Sequence, residues 1–151
     1  MLLTICPAVR AQQKSEQLVQ QSGESGLRLV DSSKYTESWQ EAAPIFKAAV
    51  TQEQWQRALG ASRDPLGKLL SRKLKSARYT KTLPGAPDGE YAVIQYDSSF
   101  EHKRSAVETV TPMLDRDGKW KVSGYTSNSD QDSRSGTSNA LHPLTTQGAS
   151  L

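Results

Sequence analysis

Cysteine is nearly missing from this chain. Cys6 is the only one among 151 residues, and it lies in the apolar opening stretch MLLTICPAVRAQQ. Removal of residues 1–11 would leave no thiol at all, which excludes an internal disulfide and a cysteine-ligated metal from the remainder. Histidine is almost as scarce. His102 and His142 are the only two, and the second falls in a C-terminal stretch of Ser, Thr, Gly and Asn. There is no histidine pair at i, i+4, no glycine-rich phosphate loop and no Gly-x-Ser-x-Gly elbow. No loop spaces carboxylates as calcium ligands require. Neither a metal nor a cofactor is therefore expected. No segment approaches the ~18 consecutive apolar residues that a membrane helix needs.

Charge of one sign is lacking too. Nineteen Lys+Arg against sixteen Asp+Glu leave a net +3, a balance that suits an ordinary solvated surface as well as an acidic partner. A nucleic-acid binder carries a dense basic stripe with interleaved aromatics. The nearest approach, RKLKSARYTK (residues 72–81), has a single tyrosine and reads as an exposed strand, so nucleic acid is not an expected partner.

The opening stretch has a composition of its own. An apolar run ends in a proline, and Val9-Arg10-Ala11 stands just before the polar Gln12-Gln13. Small or aliphatic residues at those offsets resemble the end of a secretory signal, but a basic n-region and a full apolar core are missing. The expectation is that residues 1–11 are the remnant of a truncated signal peptide and that the protein is exported, to the periplasm. A disordered N-terminal arm is the plain alternative. Lipidation at Cys6 is disfavoured by the bulky Ile5 before it.

Residues 12–26 form a polar segment, in which Gly23 and Gly26 weaken any helix. From Leu27 helical spacing takes over. Asp31-Ser32-Ser33 favours a break and a new N-cap. Tyr35, Trp39, Ala42, Ala43, Phe46, Ala49 and Val50 then make an amphipathic stripe, which Pro44 should interrupt. Thr51-Gln52-Glu53-Gln54 fits a capping box ahead of Trp55 and Leu59, and Arg63-Asp64-Pro65-Leu66-Gly67 ends that helix in a loop. Four short strands follow: Arg72–Leu83, Tyr91–Tyr96, Ala106–Leu114 and Lys119–Tyr125. Turn chemistry separates them at Pro84–Glu90 and Asp115–Gly118. Helices first and an antiparallel meander afterwards predict an α+β layer pair over residues 27–126. Residues 127–151 contain only isolated leucines and are expected to be a disordered tail.

An ordered set of residues carries a family resemblance. It comprises Asp31, Tyr35, Trp39, Trp55, Arg63, Pro65-Leu66-Gly67, Ser71-Arg72, Leu83-Pro84-Gly85, Pro87-Asp88-Gly89-Glu90-Tyr91, Phe100, Lys103, Glu108-Thr109-Val110, Asp117-Gly118, Trp120 and Gly124-Tyr125. Over roughly residues 27–126 the chain resembles a family of small exported bacterial proteins known only as a domain of unknown function. The resemblance implies a cystatin-like or nuclear-transport-factor-like fold, with helices across a curved four-stranded antiparallel sheet. It implies no chemistry, because fold does not supply function.

The stretch SFEHKRSAVETV (residues 99–110) gathers a hydroxyl, two carboxylates, an imidazole and two cations. Neighbours in an extended segment point to opposite faces, so Glu101 and His102 cannot aim at one point. A solvated turn is the better reading of 101–104. Glu108 differs, since it shares a strand face with Ala106, Val110 and Leu114. If that face meets the helices, its carboxylate must find a partner or a proton. Arg72 is the candidate partner, with Lys103 as the alternative. The opposite face, Val107, Thr109, Thr111 and Met113, would otherwise be the core.

Glu108 and Arg72 are thus the candidate catalytic residues, although buried ion pairs are more often structural. Lys103 and Tyr91 are the candidate ligand-binding residues. Three readings follow: a non-enzymatic domain that binds a protein or a small ligand, a small enzyme with Glu108 as acid/base in a cone-shaped cavity, and an assembly role through an exposed sheet edge. The last would accompany a weak homo-oligomer.

Overall fold

The computed structural model describes residues 7–129. Residues 1–6 of the expected leader, and residues 130–151 of the expected tail with His142, lie outside the described residues. Four helices precede four strands: α1 (Pro7–Asp31), α2 (Tyr35–Gln40), α3 (Pro44–Ala49) and α4 (Gln52–Ser62), then β1 (Leu69–Thr80), β2 (Tyr91–Phe100), β3 (Lys103–Leu114) and β4 (Trp120–Ser129). The strands form one open antiparallel sheet in the order β1-β2-β3-β4, and the fold is α+β as expected. No helix among the described residues is long and apolar enough to cross a membrane.

The helix α1 is where the sequence expectation and the structure part. It runs without interruption through residues 12–26, despite the cost of two glycines in a helix interior. Val19, Leu27 and Val30 are its buried side chains, two turns and then one turn apart on one face. Gly23 and Gly26 fall on that same face. A Cβ at Gly23 would stand 3.2 Å from Val110 Cγ1, and one at Gly26 would stand 2.8 Å from Val122 Cγ2. The glycines let the helix backbone come down onto β3 and β4, and the close packing offsets their poor helix propensity.

Asp31-Ser32-Ser33 breaks the helix as its chemistry predicts, with Ser33 at φ 57°. The serines end α1 rather than start α2: both the N–H and the Oγ of Ser32 donate to the Arg28 carbonyl. Lys34 holds the N-cap position of α2 without a side-chain cap. Pro44 divides the aromatic stripe into α2 and α3 by taking the first turn of α3, where its missing N–H costs nothing. The Thr51/Gln54 capping box is fully formed. Trp55 meets Phe46 edge-on at 5.0 Å, so these rings pack helix against helix.

On the sheet, cross-strand partners share a face. Ile94 pairs with Val110, and Val110 with Tyr125. Ile94 and Val110, with Val19, Leu27, Ala92 and Tyr96, make the apolar core beneath α1, and Trp120, Val122 and Tyr125 pack at its margin. The even-numbered face of β3 is the one that meets the helices: Ala106, Glu108, Val110 and Pro112 are all buried. Strand β4 continues through residues 127–129, which the sequence alone assigns to the tail.

Candidate functional site

The register that buries Val110 also buries Glu108, which has 0% of its surface exposed. A carboxylate at that depth must be compensated, and four donors converge on it. Arg72 Nε reaches Oε2 at 2.7 Å and Arg72 Nη2 reaches Oε1 at 2.9 Å, a two-pronged contact. Ser98 Oγ donates to Oε2, and Tyr125 Oη donates to Oε1 at 2.8 Å. One side chain from every strand of the sheet thus meets in a single place.

Arg72 also ties the sheet to the helices. Its Nη1 and Nη2 donate to the two carboxylate oxygens of Asp31 at 2.7 and 3.0 Å, and Asp31 is the last residue of α1. Arg63 Nη2 donates to the same carboxylate at 3.1 Å. Arg63 is only 4% exposed; its Nη1 donates to the Gly67 carbonyl at 2.6 Å, its guanidinium lies 4.3 Å from the Phe100 ring centroid, and its Nε has no partner among the described residues. Two guanidinium groups and two carboxylates therefore balance in charge across α1, the loop after α4, β1 and β3.

The electrostatics follow from this geometry. Burial opposes the charge on Arg72, but the hydrogen bonds it donates to Asp31 and Glu108 outweigh it and hold its pKa above the ordinary arginine value. Burial, and then the neighbouring Glu108 carboxylate, push the Tyr125 hydroxyl far above the usual phenol range. Both effects fix the protonation pattern: a charged arginine and a neutral tyrosine that donates to Glu108.

The turn 99–104 has a structural role that its charged residues do not suggest. Glu101 and His102 form the two-residue connection between β2 and β3. The Glu101 N–H donates to the Lys68 carbonyl and the His102 N–H to the Leu66 carbonyl, both at 3.0 Å. Glu101 Oε2 accepts from the Lys68 N–H at 3.0 Å. Gly67, at φ 74°, turns the chain beneath them, and a Cβ there would come within 2.8 Å of Glu101 and His102. The turn clasps the loop that carries Arg63.

Of the residues singled out in the sequence, Glu108 and Arg72 are brought together, and Lys103 and Tyr91 are not. Lys103 begins β3 opposite Phe100, while Tyr91 starts β2 opposite Met113 at the other end of the sheet. The Tyr91 hydroxyl donates to the Pro87 carbonyl at 2.7 Å, which closes the loop before β2. Sequence reasoning missed Asp31, Arg63, Ser98 and Tyr125 as members of the cluster. Three of them, Asp31, Arg63 and Tyr125, stand among the residues that carry the family resemblance. Ser98 carried a different signal, a polar residue between inward-facing Tyr96 and Phe100.

What this arrangement can do is hold protein layers together. Each Glu108 oxygen already accepts two hydrogen bonds, which fills its acceptor capacity, and Arg72 is committed to two carboxylates. Neither lines either of two concavities among the described residues. An internal cavity of about 20 Å³ sits beneath α1 and α2, bounded by Leu27, Val30, Phe46, Trp55 and Tyr125 among others. A groove of about 470 Å³ opens between α1 and the β3–β4 hairpin, lined by Leu18, Ser25, Leu29, Glu41, Trp120 and Val122 among others. Among the described residues, no group of three or more His, Cys, Asp or Glu gathers as a metal site would require.

No curated protein matches this chain. The model of one family does, over residues 22–125, from the second half of α1 to Tyr125. That span contains all six members of the charged cluster, and the chain belongs to the family described as protein of unknown function (DUF4019).

Proposed function

We propose that this protein is an exported, non-enzymatic binding domain that takes a small ligand with a flat apolar body in the groove between α1 and the β3–β4 hairpin. The observation that carries this reading is the saturation of Glu108: the carboxylate best placed for acid/base work has all its acceptor positions occupied and is fully buried. General acid/base catalysis needs a group within reach of a substrate proton. The groove has the size of a small-molecule site, typically about 300–1,000 Å³. Leu18, Leu29, Trp120 and Val122 supply apolar surface, with Ser25, Glu41 and Lys119 as polar groups at its margin. Export rests on the composition of residues 1–13, and the periplasm is the compartment it suggests.

The test is a thermal-shift screen of small molecules on the purified chain, with tryptophan fluorescence as a second readout. A groove ligand should raise the melting temperature by mass action and perturb Trp120. Gln21→Trp would fill the groove from an exposed position of α1 and should abolish both effects. Hits that ignore Gln21→Trp would remove the groove from the proposal. Turnover that Glu108→Gln abolishes at an unchanged melting temperature would overturn the non-enzymatic reading.

A further inference from the structure

We propose that the outer edge of β1 accepts an extended, acidic segment of another protein as a fifth strand. This inference is independent of the groove and stands whether or not a ligand occupies it.

An open sheet has two edges, and this molecule treats them differently. At β4 the helical layer caps the edge: Ser22 Oγ donates to the Trp120 carbonyl at 2.9 Å and the Ala43 N–H to the Val122 carbonyl at 2.8 Å. Helix α1 packs over β4, β3 and β2. Among the described residues, strand β1 has one strand neighbour, β2, and its twelve residues are mostly exposed. A long uncovered strand of this kind offers a row of backbone donors and acceptors to any chain that can lie beside it.

The side chains say which chain that is. On the helix side of β1, Leu74 pairs with Tyr96, Ala77 with Ile94 and Tyr79 with Ala92, so an apolar strip continues past the core to the edge. Leu74 and Tyr79 remain 46% and 45% exposed, and Leu70 is 52% exposed. On the other face stand the exposed cations Lys73 and Arg78, beside Asp97 and Val93 respectively. Period-2 alternation in an added strand would match both faces, with apolar residues over Leu74 and Tyr79 and carboxylates beside Lys73 and Arg78. A second copy of β1 fits poorly. Antiparallel self-pairing centred on the strand would set Lys73 of each copy opposite Arg78 of the other, both on the same face, and like charges on facing strands repel. The same cations that deter self-pairing thus select an acidic partner.

The probe is a synthetic peptide of alternating glutamate and valine, compared with one of alternating lysine and valine. Amide hydrogen exchange is followed residue by residue on the full chain. The acidic peptide should slow exchange on β1 about tenfold or more, leave β4 unchanged, and lose affinity as salt rises; the basic peptide should do none of this. The double substitution Lys73→Gln/Arg78→Gln, at exposed positions, sets no like charge beside Asp97, should keep the melting temperature and should remove the preference between peptides. Equal binding of both peptides, protection at β4 or in the groove instead, or no protection by either peptide would overturn the proposal. Protection of β1 that grows with protein concentration alone would overturn it in favour of a second copy.

Discussion

The helix-facing side of the sheet has two halves. One is apolar: Val19 and Leu27 on α1 meet Ala92, Ile94 and Val110. The other is charged: Asp31 and Arg63 meet Arg72, Ser98, Glu108 and Tyr125. Both join α1 to the strands, but they respond differently to change. In the apolar half each contact is non-directional and neighbours can shift to share a small loss. In the charged half each group is buried on the condition that its partners are present, so a single deletion strands the rest. The charged half also fixes geometry. Arg72 can satisfy Glu108 and Asp31 together only with α1 and the sheet in one relative placement.

The widest separation between the halves should come from Arg72→Ala. Glu108 would lose two of its four donors at full burial, and Asp31 would keep only Arg63. Breaking a buried pair from one side costs about 3–5 kcal/mol, and urea unfolding should show a loss of that order. The companion variant Arg72→Met/Glu108→Leu removes both charges of the pair, and should be less destabilised than the sum of the two single changes. Strict additivity would mean that the two side chains do not interact and would break the comparison.

A smaller effect is due at Tyr125. Tyr125→Phe removes one of four hydrogen bonds to Glu108 and keeps the ring in the core. Hydrogen bonds to charged groups contribute about 1.5–3 kcal/mol, and the low end is expected because three donors remain. The variant should also differ from the parent in alkali. The folded-state pKa of Tyr125 is raised above its ordinary 10.0, so above that pH the unfolded chain sheds the phenol proton while the native protein retains it. Its contribution to stability is therefore complete below pH 10.0 and is lost as the pH rises toward the folded-state value. Denaturation curves collected upward from neutral pH should fall less steeply for Tyr125→Phe. A residual slope remains, because burial also raises Tyr35, Tyr79, Tyr91 and Tyr96. Identical slopes would place Tyr125 outside the charged half.

The two halves were not equally legible in the sequence. Periodicity exposes apolar faces, so Ile94, Val110 and the stripe from Tyr35 to Val50 were readable, as were the Thr51 cap and the order of helices before strands. Glu108 and Arg72 were readable as a pair because a carboxylate on an apolar strand face needs a cation. Asp31 and Arg63 were not, because each sits at a helix end, where a polar residue already has a local explanation as a cap or a terminator. The bonds that recruit them span 32 and 41 residues of sequence, and no local pattern encodes such distances. The same limit hid the path of α1. Gly23 and Gly26 lower helix propensity by any local measure, and only the strands lying under them show why they are there.

The smallest expected effect lies in the apolar half, at Gly26. Gly26→Ala gains helix propensity of about 1 kcal/mol, and at an exposed site it would stabilise. Here the new methyl would meet Val122 Cγ2 at 2.8 Å, well inside van der Waals contact. Val122 is β-branched and stiff at χ1, so it cannot swing clear, and either α1 must lift or β4 must bend. Overpacking of this kind costs about 1–3 kcal/mol, which exceeds the propensity gain and leaves a net loss of roughly 1 kcal/mol. Truncating the obstacle gives the sharper measurement. With Val122→Ala in the background, the clash disappears and Gly26→Ala should become neutral or stabilising. That reversal of sign between backgrounds, read from urea midpoints of the four chains, would show that α1 carries glycine at this position for its close approach to β4. A penalty unchanged by Val122→Ala would refer the glycine to some other cause.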